Sequence, residues 1–93
     1  MKRSLVEKRV IVTGASSGIG RELAKQLVSS QAQVLATARR ETLLHALKQE
    51  VTSLGVGGPL HYLAGDITDA DFRAQLVEHA VTLWGGFDIL INN

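Results

Sequence analysis

The chain has 93 residues, 45% of them apolar, with a formal net charge of +1 and no cysteine. That allows one small domain with a real core. It excludes disulfides, thiolate metal sites and the basic footprint of a protein that binds nucleic acid or an anionic membrane.

The basic start "MKRSLVEKRVIVTG" holds only the short apolar run "VIV", too little for a signal peptide, and no run approaches a membrane span. The expectation is a cytoplasmic protein with no nucleic-acid or membrane partner. "RVIVT" is a β-branched apolar run stopped by Gly14 and reads as a buried strand. Ile19, Leu23, Ala24, Leu27 and Val28 recur at helical spacing and predict a helix over 18–30. "QVLATA" is a second strand. Leu43, Leu47, Val51 and Leu54 share one face of a helix over 41–54, and "GVGGP" is a loop. "LHYLA" is a third strand. "TDADFRAQLVEHAVTLWGG" is a third helix, with Thr68 as the expected N-cap, Asp71 three residues on and Gly85 as its stop. "FDILIN" is a fourth strand. The order β-α-β-α-β-α-β predicts an open, doubly wound parallel α/β sheet of the Rossmann-like kind, here incomplete. Ligands of such sheets sit at the carboxyl ends of the strands.

The loop after the first strand is "TGASSGIG", residues 13–20. Gly14 suits a tight turn leaving the strand, Gly18 carries no Cβ to hold a phosphate away, and Gly20 permits close packing of the helix. Ser16 and Ser17 add hydroxyl donors, and the helix start offers free N–H groups with a partial positive charge. This is the chemistry of a dinucleotide phosphate site. The glycines also suit a plain strand-to-helix turn. No Lys-Ser or Lys-Thr follows Gly20, which disfavours a nucleoside triphosphate loop.

With these residues in view, the sequence resembles the short-chain dehydrogenase/reductase family. "TGASSGIG" is similar to its TGxxxGxG cofactor loop. "ATARRE" resembles the end of its second strand, "GDIT" its adenine-side motif, and "GGFDILINN" its fourth strand entering the NNAG motif. The sibling epimerase pattern TGxxGxxG fits Gly18 and Gly20 poorly. The resemblance implies hydride transfer between a nicotinamide cofactor and a small-molecule carbonyl or alcohol substrate, by a homo-oligomeric parent enzyme.

Enzymes using NAD place an acid near the end of the second strand. Here Thr37-Ala38-Arg39-Arg40 stands there, so NADP is expected over NAD, with Arg39 on the 2′-phosphate and Arg40 beside the adenine or sharing the charge. The alternative is a pair of solvated loop arginines. By resemblance, Asp66 accepts from the adenine amino group, the Ile67 backbone and Ile19 complete the cofactor residues, and Asn92 and Asn93 border the cofactor. A turn or capping role for Asp66 is the competing reading. Asp69 and Asp88 read as structural.

The family's catalytic serine, tyrosine and lysine find no counterpart. Tyr62 lies in the third strand with Asp66, not lysine, four residues on, and reads as packing. His45, His61 and His79 match no metal spacing, and Trp84 reads as packing on the sheet. The expectation is therefore the N-terminal portion, residues 1–93, of a single dinucleotide-binding domain, interrupted within NNAG and inactive alone. The alternative is a non-enzymatic NADP(H)-binding module or sensor. In the family's strand order the fourth strand lies beside the first, which leaves "DILIN" as an apolar edge and predicts self-association or aggregation.

Overall fold

A computed structural model describes residues 5–55 and 57–93. The first four residues, part of the basic start, and Val56 of the expected GVGGP loop lie outside the described residues. The elements in chain order are β1 (Arg9–Val12), α1 (Gly18–Ser29), β2 (Gln33–Ala38), α2 (Glu41–Ser53), β3 (Leu60–Ala64), α3 (Ala70–Trp84) and β4 (Ile89–Ile91). All pairings are parallel, in the order β3-β2-β1-β4. The winding thus runs outward from β1 through β2 to β3, then returns to the other side of β1.

The core has two sides because strand side chains alternate. Val10, Val12, Val34 and Ala36 face α1 and α2, where Ala24, Leu27, Val28, Leu44, Leu47 and Val51 are buried against them. Ile11 and Leu35 face the opposite way, onto Leu76 and Ala80 of α3, with Trp84 packed at the margin. Near-continuous apolar runs are what a strand covered on both faces requires. Among the described residues no helix is long and apolar enough to cross a membrane.

Two salt-bridge groups fix the frame. Arg9 Nη2 meets Asp88 Oδ1 at 3.0 Å, while the Arg9 backbone N–H and Nε donate to Oδ2 at 2.9 and 3.0 Å. Arg9 Nη1 also donates to the Trp84 carbonyl at 3.0 Å, so one side chain ties β1 to the end of α3 and the approach to β4. Asp88 has the structural role expected of it, and the Arg9 hydrogen bonds hold its carboxyl well below the usual carboxylate range. Between α1 and α2, Glu50 receives both Lys25 and Arg21. Those two cations hold its carboxyl down to about 2.

Several local expectations are corrected. The N-cap of α3 is Asp69, not Thr68: Asp69 Oδ1 accepts from the Asp71 backbone N–H at 2.9 Å. Thr68 is drawn away by Asp66, whose Oδ1 takes both its N–H and its hydroxyl. In α2 the buried face is Leu44, Leu47 and Val51, whereas Leu54 is exposed and Leu43 borders solvent. Ile19 is 79% exposed rather than part of the buried stripe of α1. The ladder of β4 covers only Ile89–Ile91 of "FDILIN". Gly85 does end α3, in the left-handed conformation, with its N–H on the Val81 carbonyl at 2.7 Å.

Candidate functional site

The loop between β1 and α1 is stitched to both neighbouring strands. On one side the Ala15 N–H donates to the Thr37 carbonyl of β2 at 3.1 Å. On the other, the Thr13 N–H donates to the Ile91 carbonyl at 3.0 Å. The Thr13 hydroxyl donates to Asn92 Oδ1 at 2.9 Å and accepts from the Asn93 N–H at 3.0 Å. Asn93 Nδ2 then donates to the Gly14 carbonyl at 3.3 Å. Thr13 is therefore the peg that holds the end of β4 against the loop.

Two glycines are needed for this closeness. Gly14 has φ +62°, and a Cβ on it would sit 3.1 Å from both Asn93 Nδ2 and the Asn93 carbonyl. A Cβ on Gly20 would sit 2.1 Å from the Gly14 carbonyl and 2.7 Å from Asn93 Nδ2. The first turn of α1 thus rests directly on the loop. Ser17 is the N-cap of α1 in an extended conformation, its side chain makes no capping hydrogen bond, and the first turn carries no acidic residue. The helix presents its partial positive end with that capping left to whatever approaches.

A cleft of about 550 Å³ opens in front of this helix end. The loop contributes Gly14, Ser16 and Ser17 to its lining, and the end of β2 contributes Thr37, Ala38, Arg39 and Arg40. Leu43 of α2, Gly65 and Ile67 after β3, and Asn93 complete it. The structure thus brings Gly14, Ser16, Ser17, Arg39, Arg40, Ile67 and Asn93 together. The lining does not include Gly18, Ile19, Gly20, Asp66 or Asn92. Gly20 lies beneath the loop, a Cβ on Gly18 would meet nothing within 4 Å, and Asn92 is occupied with Thr13.

Asp66 stands at the rim. Its Oδ1 accepts the Thr68 N–H at 2.9 Å and the Thr68 hydroxyl at 2.7 Å, and Arg39 Nη2 lies 3.6 Å from the same oxygen. The Thr68 bonds foremost, with Arg39 adding to them, hold this carboxyl below its ordinary range. Arg40 begins α2 as its N-cap and forms no ion pair among the described residues.

The sequence reading gave no site role to Thr13, Thr37, Leu43, Gly65 or Thr68. Thr37 is 1% exposed and its hydroxyl has no hydrogen-bond partner among the described residues. A hydroxyl inside an apolar strand end was the available signal. Gly65 has no room for a side chain, because a Cβ would fall 2.1 Å from the Phe72 ring. Leu43 carried no signal beyond its apolar character. Tyr62 lies on β3 with its hydroxyl 3.1 Å from His45 Nδ1, and His61 meets Trp84 edge-on. Among the described residues no cluster of three or more His, Cys, Asp or Glu could hold a metal.

Known proteins share this arrangement. The short chain dehydrogenase family model matches residues 8–93. A fatty acyl-CoA reductase of Mycobacterium tuberculosis is 45% identical over 89 residues, which is 96% of this chain and 30% of that protein. A hydroxysteroid 11-beta-dehydrogenase 1-like protein of Xenopus tropicalis is 37% identical over 90 residues, 97% of this chain and 31% of that protein. The chain therefore spans about a third of the length of the curated relatives it matches. Among solved structures, a short-chain type dehydrogenase/reductase of Mycobacterium ulcerans superposes with a TM-score of 0.90 at 32% identity, covering 97% of this chain and 33% of that one. L-sorbose reductase of Gluconobacter frateurii, solved with NADPH and L-sorbose, superposes with a TM-score of 0.87 at 28% identity, covering 98% of this chain and 35% of that one. With its motifs, parallel sheet and glycine loop all matched from residue 8 onward, the chain belongs to the short chain dehydrogenase family.

Proposed function

We propose that the cleft holds a nicotinamide dinucleotide, NADP in preference to NAD, and that the chain is the cofactor-binding front part of a cytoplasmic oxidoreductase acting on a small-molecule carbonyl or alcohol. One observation carries the reading: the uncapped start of α1 and the two arginines that follow β2 face one cleft, and among the described residues the Asp66 carboxylate stands at its rim, outside its lining. Its volume, about 550 Å³, falls within the usual range of small-molecule sites. The cofactor, when bound, supplies the hydride. The chain's own residues bind and orient it. The N–H groups at the start of α1, with Ser16 and Ser17, take the pyrophosphate, and the absence of acid in the first turn leaves them unopposed. Arg39 takes the 2′-phosphate by charge-assisted bonds and Arg40 adds its charge alongside. Asp66 offers a carboxylate oxygen to the adenine amino group, while Ile67 and Leu43 supply apolar walls.

The proton-transfer groups of the reaction lie outside this chain. Tyr62 is engaged with His45 on the flank of β3 and does not line the cleft. The 93-residue chain alone is therefore expected to turn over no substrate, and the complete protein to be a homo-oligomer. Calorimetric titration of the chain with NADP and NAD tests the cofactor assignment. Arg39→Ala should weaken NADP by ~1.5–3 kcal/mol, the worth of a charged hydrogen bond, and leave NAD nearly unchanged. Equal loss for both would overturn it.

A further inference from the structure

Asp66 and Arg39 sit at the carboxyl ends of adjacent strands, β3 and β2, whose register pairs Ala64 with Ala38. Their side chains meet across the rim of the cleft at 3.6 Å. Among the described residues the three polar contacts of the carboxylate fall on one oxygen, and two of them come from Thr68, two residues on along the same turn. Thr68 therefore fixes the carboxylate in place, whereas the Arg39 side chain is 74% exposed and free to turn. When Arg39 swings toward a phosphate, Asp66 stays behind as a fixed negative charge a few ångströms away. It competes with the incoming phosphate for the guanidinium.

We infer that Asp66, pinned by Thr68, is a specificity-determining residue: as the counter-charge of Arg39 it restrains the cleft's preference for a phosphorylated over an unphosphorylated ribose. This rests on the assignment of Arg39 to the 2′-phosphate. The effect belongs to the discrimination between two ligands, so it is separable from any contact Asp66 makes to a base common to both.

The test uses adenosine 2′,5′-bisphosphate and adenosine 5′-monophosphate as probes, titrated into the 93-residue chain and its Asp66→Asn, Arg39→Ala and double variants. Asparagine keeps an oxygen for Thr68 and removes the charge. Trp84 fluorescence checks that each variant is folded. Asp66→Asn should raise the affinity ratio of bisphosphate over monophosphate about three- to tenfold, as expected for one charge at a solvated rim. In the Arg39→Ala background most of that gain should vanish. An unchanged or lowered ratio in Asp66→Asn, with Arg39→Ala still abolishing the preference, overturns the role of Asp66 and leaves that of Arg39 standing. A gain that persists in full without Arg39 overturns the pairing. If Arg39→Ala leaves the ratio where it was, the phosphate assignment itself fails, and the inference with it.

Discussion

Gly20 and Thr37 are residues at which single substitutions read the packing around the cleft, because one has no room for a side chain and the other buries a hydroxyl that makes no hydrogen bond among the described residues. A methyl on Gly20 has nowhere to go but the Gly14 carbonyl, 2.1 Å away. Gly20→Ala should destabilise the fold by about 1–3 kcal/mol, the usual cost of overpacking, and displace α1 from the loop. Chemical denaturation measures it, and an unchanged midpoint would show that the helix does not rest on the loop. Thr37 should behave oppositely. Its buried hydroxyl has no partner among the described residues, so the near-isosteric Thr37→Val should stabilise by about 1 kcal/mol by removing the desolvation cost of an unmade hydrogen bond. A lower melting temperature for the valine variant would mean that the hydroxyl is satisfied in solution. At this scale the glycine loop was legible because glycine leaves a direct mark on a sequence. The anchoring role of Thr13 was not, since its partners Asn92 and Asn93 lie some 80 positions further along the chain.

At the scale of elements, existence and order could be read from periodicity, while phase and caps could not. Residues 41–54 carry two adjacent leucines, and Leu43 and Leu44 both fit a stripe with Leu47 and Val51. Only the position of the sheet chooses Leu44, which leaves Leu43 to the cleft. At the start of α3, Thr68 and Asp69 are both good caps in sequence. The nearby Asp66 carboxylate claims Thr68 and so decides for Asp69, a contest that single-residue preferences do not record. The partnered carboxylates give a pH signature, Asp88 and Glu50 through ion pairs between elements and Asp66 foremost through Thr68. Asp88, Glu50 and Asp66 have carboxyls lowered in the fold. Their contribution is present above the unfolded carboxylate range and is lost as pH falls through it toward the folded values. His61 is shifted the same way, downward, by burial first and then by Lys48 and His79. For a base this means that the fold prefers the neutral ring, so stability falls as pH drops through its unfolded value near 6.5. Melting temperature against pH should show a shallow loss below neutrality that His61→Gln removes, then a steeper loss in the carboxylate range that Asp88→Asn reduces. An identical near-neutral slope in His61→Gln would assign that loss to another group.

Across the whole molecule the sheet is covered unevenly. Among the described residues two helices pack on one face and only α3 on the other, and β4 is an edge. Leu90 is 54% exposed on that edge and lines a shallow pocket together with Val77 of α3, and Val77 and Val81 are 46% and 51% exposed. Open strand edges with apolar neighbours pair with other chains. The 93-residue chain should therefore sediment as concentration-dependent oligomers at micromolar concentration, and Leu90→Lys should shift it toward monomer. A monomer at every concentration would contradict this. The doubly wound arrangement itself was legible from the alternation of strand and helix patterns, because each parallel crossover needs a helix-length connection. The position of β4 beside β1 was not carried by any periodicity and came only from the strand order of the family that TGASSGIG and GGFDILINN resemble.

The most direct test of the proposal that the cleft holds a dinucleotide is residue-resolved. Amide resonances of the isotope-labelled chain should be followed by NMR while NADP is titrated in. The largest changes are expected at Gly14 to Gly20 and at Arg39 and Arg40, with smaller ones at Asp66 to Thr68, and NAD should produce the first set but little at the arginines. Saturating changes elsewhere, or none at millimolar NADP with the fold intact, would contradict the assignment of the cleft.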